Sequence, residues 1–181
     1  MEWVHVSKDV EAALEEVRTG GDRAAAIVAA ALVEEHLASV IKGSLHQSIK
    51  ITNDMFRGSG PLGSFSAKIN LAFLIGIFSH ECHKELETIK EIRNRFAHNL
   101  TIKGFDDQRI KDLTNNLTRH ESSFTITNPN RETGKRGTLV YAPTPDKSVN
   151  ARDRYIRSCK FYTAILSMHI PGPVTMPAPS F

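Results

Sequence analysis

Arg93, Asn94 and His98 are the residues of this 181-residue chain best suited to chemistry on a phosphate. Cleaving an RNA strand without a metal needs a base at the 2′-hydroxyl, an acid at the leaving oxygen and positive charge at the phosphoryl group. His98 can serve as the base or the acid, and Arg93 can supply the charge. At about 3.6 residues per turn, Asn94 and His98 share one face of a straight helix and Lys90 extends the same line, whereas Arg93 and His98 diverge by about 140°. One histidine does not easily act as acid and base in the same step, so a second copy of the chain would complete the set. The structural alternative for His98 is an imidazole at a helix end, interacting with the terminal carbonyls.

Arg93 also poses a packing problem. Leu86, Ile89, Ile92, Phe96, Ala97 and Leu100 form an apolar stripe at helical spacing, and Arg93 falls inside it. A second helix pattern has Ile27, Ala30, Leu37, Ala38 and Ile41 on one face, with Glu34 near its centre. Arginine cannot lose its proton, so an inward guanidinium needs a partner. The expectation is an ion pair between Glu34 and Arg93, each removing the other's desolvation penalty. Such a pair could simply fix helix packing, or Arg93 could share its charge with a phosphate beside His98.

Other candidates for contact with nucleic acid are Lys90, Arg152, Arg154 and Arg157, the last three on a helix that also carries Tyr155, Phe161 and Tyr162 for base stacking. A solvated helix face over packed aromatics is the plainer account of that helix. His80 and His83 have metal-ligand spacing but no companion ligands, and Gly58, Gly60 and Gly63 lack the Lys-Ser/Thr that completes a phosphate loop. No metal and no cofactor are expected.

These residues need helices to position them. Ser7 can cap a helix ending at Gly20-Gly21, and Asp22 can cap a long alanine-rich helix from Arg23 to about Ile41, whose small side chains suit a central position. The pattern fails between Gly43 and Gly63. Ser64 then caps an apolar helix from Phe65 to Phe78, and Ser79 caps one from His80 to about His98. A weaker helix spans Asp106 to Leu117, and a last one spans Ala151 to His169. Between them, Phe124-Thr125-Ile126-Thr127 could pair with Thr138-Leu139-Val140-Tyr141 as a hairpin, or the stretch could be irregular. The fold expected is all-α: a single-domain bundle of five to six helices with an irregular or hairpin insertion near 120–149. Its parts would be a helical core at 1–119, the insertion at 120–150, a helix at 151–170 packing on the core and a Pro-rich tail at 171–181.

Charge is uneven along the chain. Residues 1–102 carry 11 Lys/Arg and 13 Asp/Glu, and residues 103–181 carry 12 and 7, for a total of +3. That gradient permits contact with nucleic acid without requiring it. Cys82 and Cys159 lack the paired spacing of a disulfide framework or a zinc site. The apolar run from Ala24 to Ile41 is broken by Glu34, Glu35 and His36, so no membrane span is expected, and no basic-then-apolar leader opens the chain. A cytoplasmic location follows.

Arg93-Asn94-Arg95-Phe96-Ala97-His98 resembles the Arg-Asn-x-x-x-His signature of the HEPN superfamily of helical, nucleic-acid-associated domains. Together with Asp22-Arg23-Ala24-Ala25 and Pro61-Leu62-Gly63-Ser64-Phe65-Ser66-Ala67-Lys68-Ile69, the segment resembles the mannitol operon repressor family over about residues 20–107. The stretch after Arg119 has no counterpart in that pattern. The resemblance implies an all-helical transcriptional regulator without a helix-turn-helix, acting through protein or nucleic-acid contacts. It also implies a homodimer, since active HEPN proteins often pair their motifs. The competing reading is a metal-independent HEPN-type endoribonuclease or a toxin-antitoxin component, with Arg93, Asn94 and His98 as its catalytic residues.

Overall fold

The computed structural model describes residues 8–46, 48–121, 124–129, 136–141 and 149–168. The expected Pro-rich tail lies outside these residues. Among the described residues seven α-helices are formed: α1 (Lys8–Thr19), α2 (Asp22–Ser44), α3 (Ile49–Phe56), α4 (Phe65–Leu74), α5 (His80–His98), α6 (Gln108–Thr114) and α7 (Ala151–Met168). A 3-10 turn at Arg119–Glu121 leads into two strands, β1 (Phe124–Pro129) and β2 (Arg136–Tyr141). They pair antiparallel with Phe124 opposite Tyr141 and Thr127 opposite Thr138, the hairpin register expected from the sequence.

The long helix α2 is the hub of the bundle and packs against α1, α4, α5 and α7. Its alanines explain how four neighbours fit. Ala25, Ala26, Ala29 and Ala30 are all buried, and without longer side chains there α7 approaches closely enough for the Tyr155 hydroxyl to donate to the Ala26 carbonyl at 2.9 Å. Phe96, Phe105 and Tyr155 continue the core as a chain of tilted rings, 4.8 and 5.4 Å between successive centroids. By length and composition alone α2 could cross a membrane, contrary to the expectation from its charged residues, but half of that stretch is buried within this bundle.

Several boundaries differ from expectation, each for a local reason. α3 forms where the pattern failed. None of its residues is buried, and at eight residues it is too short for its apolar positions to repeat as a stripe. α4 stops at Leu74 rather than Phe78 because the chain reverses at Gly76, whose φ of +77° suits glycine. α6 is shorter than Asp106 to Leu117, beginning after Asp107, which caps it through Arg109 N at 3.0 Å. Ser64 caps α4 as expected, accepting from Ala67 N at 3.1 Å. Asp22 does not cap α2; Gly21 holds the cap position, and the Asp22 carboxylate instead accepts from Phe105 N at 2.9 Å and pairs with Arg152 at 3.1 Å.

Candidate functional site

α5 divides into two faces. Leu86, Ile89, Ile92 and Phe96 are fully buried and hold the helix against α2 and α4. The opposite side lines an open groove with Glu87, Lys90, Glu91, Asn94, Arg95 and His98. Lys90, Asn94 and His98 thus share a face, as their spacing requires. His98 is exposed, and its imidazole has no hydrogen-bond partner among the described residues. Leu100, just beyond the helix end, is 86% exposed.

Arg93 is not among the residues that line this groove, but its Nη1 donates to Oδ1 of the groove residue Asn94 at 2.8 Å. Its charge therefore reaches the groove through Asn94. The groove's other charges are paired within the helix: Lys90 with Glu87, and Arg95 with Glu91 at 2.6 Å. Lys90 also donates to Ser66 Oγ on α4 at 3.2 Å.

The expected Glu34–Arg93 ion pair is not formed. Glu34 Oε1 instead accepts from Lys68 Nζ at 2.5 Å, and Lys68 also donates to the Gly63 carbonyl at 3.3 Å. The wheel of α2 correctly turned Glu34 inward, but the ammonium on α4 reaches it. Lys68 is 7% exposed, so its charge is held inside rather than carried out to solvent on its stem.

The basic residues of α7 are largely committed to the body. Arg152 pairs with Asp22 and donates through Nη2 to the carbonyls of Val17 at 3.0 Å and Gly20 at 3.2 Å, pinning the α1–α2 corner. Arg154 pairs with Glu121 at 3.2 Å. Arg157 is exposed and has a partner of its own. His80 and His83 stack with ring centroids 6.3 Å apart, and His83 Nε2 lies 2.9 Å from Asn70 Oδ1. Among the described residues no group of three or more His, Cys, Asp or Glu side chains is placed to hold a metal.

Glu85 was missed in the sequence. It is 5% exposed, and its Oε1 accepts from Thr118 N and Arg119 N, both at 2.8 Å, and from Thr118 Oγ1 at 3.2 Å, while its Oε2 accepts from Tyr162 OH at 3.0 Å. One carboxylate thus joins α5, the 3-10 turn and α7. The signal was present: Glu85, Ile89, Ile92 and Phe96 follow the spacing of one buried stripe, with Glu85 at its head.

A family model described as mannitol repressor matches residues 27–166. Among solved structures, the chain is similar to the X-ray structure of the MtlR-HPr complex from Escherichia coli, with a TM-score of 0.61 and 16% identity, covering 87% of this chain and 98% of that one. At that identity the likeness is one of fold. No curated protein matches the sequence.

Proposed function

The chain belongs to the mannitol repressor family, and from that premise we propose that it is a regulatory protein that acts by binding another protein through the groove side of α5. The observation that carries this reading is the character of that face. An exposed imidazole and a leucine 86% exposed lie at the end of a helix whose groove-lining cations, Lys90 and Arg95, are already paired with Glu87 and Glu91. A face that grips a phosphate backbone needs uncompensated cations, which release counterions on binding. Internally paired charges around an apolar anchor suit a protein surface better. The similar solved structure, a complex of MtlR with HPr, supports a protein as the kind of partner.

Isothermal titration of the chain with HPr from the same source tests this. The expected outcome is saturable binding, Kd about 10 μM or tighter, weakened by His98→Ala and Leu100→Ala. Absence of binding up to about 1 mM would remove HPr as the partner.

One observation favours the second reading, a metal-independent endoribonuclease of the HEPN type. His98 is exposed and shares its groove with Asn94. Because one histidine does not easily act as both acid and base, this reading requires a homodimer that brings two α5 helices together. Incubating the protein with mixed RNA in EDTA decides it: cleavage that His98→Ala abolishes supports the nuclease, and intact RNA in both samples removes it.

A further inference from the structure

Two adjacent side chains in the first turn of α2 tie down the segment that follows α5. Arg23 Nη2 donates to the Asn99 carbonyl at 3.2 Å and to the Ile102 carbonyl at 2.9 Å, and Asp22 Oδ2 accepts from Phe105 N at 2.9 Å. A guanidinium keeps its proton at any ordinary pH, and bonds from a charged donor are stronger than neutral ones, so the Arg23 tie is permanent in the folded chain. Asp22 is itself fixed from α7 by Arg152 at 3.1 Å. The close approach needs Gly104, where a Cβ would stand 2.6 Å from Asp22 Oδ2. Within the segment, Asn99 Oδ1 accepts from Thr101 N at 3.0 Å and from the Thr101 hydroxyl at 2.7 Å, which closes a tight turn. Ile102 and Phe105 are buried, yet Leu100, inside that turn, stands in solvent.

We propose that Arg23 is a positioning residue of the docking face: by holding the carbonyls on both sides of Leu100, it presents that side chain preformed, two residues past His98, to an apolar depression on a protein partner. The proposal rests on the reading that the groove side of α5 binds a protein. A turn that had to be ordered on contact would subtract its ordering cost from the affinity, and a turn already held does not. Arg23 is half-buried and acts from 76 and 79 residues away through two backbone oxygens, so it contributes without being an anchor itself. Asp22-Arg23 is thereby given a role in presenting the docking face, which helical periodicity did not reveal. If the clamp served the bundle alone, its loss would lower stability and leave the affinity of the folded protein as it was.

Calorimetric titration of the full chain with HPr, run on the wild type, Arg23→Gln, Leu100→Ala and the double variant, tests this, with urea unfolding recorded alongside. Arg23→Gln should weaken binding by about fivefold, no more than Leu100→Ala does, and should leave the affinity of the Leu100→Ala protein unchanged, because the clamp acts through that side chain. An unchanged affinity in Arg23→Gln, or an equal loss in both backgrounds, overturns the positioning role and leaves the docking reading standing. No binding by the wild type removes the docking reading, and the role built on it falls too. Should Arg23→Gln not fold, Arg23→Lys takes its place in the same set: its ammonium keeps the charge without the guanidinium's fork, and a loss of about threefold that vanishes in the Leu100→Ala background is expected. The same two outcomes overturn the role in that set.

Discussion

Glu34 meets Lys68 across the α2–α4 interface, with 2.5 Å between carboxylate oxygen and ammonium, and Arg93 takes no part. Lys68 is nearly sealed, and the Glu34 side chain keeps 22% of its exposure, so the pair is neither a surface bridge nor a fully dry one. Removing the carboxylate strands a buried ammonium. Glu34→Ala should cost about 2 kcal/mol, below the figure for a fully buried pair because water still reaches the glutamate. A double-mutant cycle on urea unfolding should give a coupling of about 1–2 kcal/mol between positions 34 and 68 and about zero between 34 and 93. Coupling to Arg93 in place of Lys68 would contradict the structure.

The Pro61-Leu62-Gly63-Ser64 corner folds back on the end of α3 through its backbone. Leu62 N donates to the Met55 carbonyl at 2.8 Å and Gly63 N to the Gly60 carbonyl at 2.9 Å. A Cβ on Gly63 would stand 2.4 Å from the Gly58 carbonyl oxygen and 2.6 Å from that of Arg57, both backbone atoms with little freedom to yield. Gly63→Ala should therefore lower stability by about 2 kcal/mol, whereas Gly58→Ala, with nothing near its Cβ, should stay within about 0.5 kcal/mol. Thermal unfolding of the two variants side by side checks this.

The same corner shows what a sequence can and cannot disclose. Its residue block was recognisable, but its role was not: Gly63 and Lys68 work through carbonyls and a carboxylate brought near by folding, which no periodicity encodes. Periodicity reveals which face of a helix turns inward, and so α5 and the inward Glu34 were legible. It does not reveal which inward charges touch. Side-chain reach decided that in favour of Lys68, and Arg93 bonds its neighbour Asn94 instead. The hairpin register could be read because its two β-prone runs pair residue for residue, whereas α3 is only eight residues long, too short for its apolar positions to repeat as a stripe. For the groove, spacing alone placed Lys90, Asn94 and His98 together and Arg93 apart.

His98 and Leu100 separate binding from folding. Both are exposed, and among the described residues the His98 ring has no partner, so His98→Ala and Leu100→Ala should each change stability by less than about 0.5 kcal/mol. If the groove side of α5 is the docking face, each should weaken partner binding by about fivefold or more, measured by titration calorimetry, in line with truncation of an interface anchor. Unchanged affinity in the double variant would move the docking face elsewhere on the bundle.

Glu85 carries more of the fold's stability than its position near the start of α5 suggests. Its two oxygens accept two backbone amides and two hydroxyls from elements 33 to 77 residues away. Alanine there leaves the amides of Thr118 and Arg119 and the hydroxyl of Tyr162 without their acceptor in a dry site, and each stranded group costs about 1–3 kcal/mol unless water enters. Glu85→Ala should accordingly destabilise by about 3–4 kcal/mol. Glu85→Gln keeps one acceptor oxygen for the amides and can offer its NH2 to the oxygen of Tyr162, for a loss nearer 1–2 kcal/mol. Tyr162→Phe removes one bond from the same carboxylate and should cost about 1 kcal/mol, less than either. The order Ala, Gln, then Tyr162→Phe in urea unfolding would establish the carboxylate as the clasp that joins α5, the 3-10 turn and α7. Equal losses for all three would mean that the tyrosine contact alone matters and that the turn is held by something else.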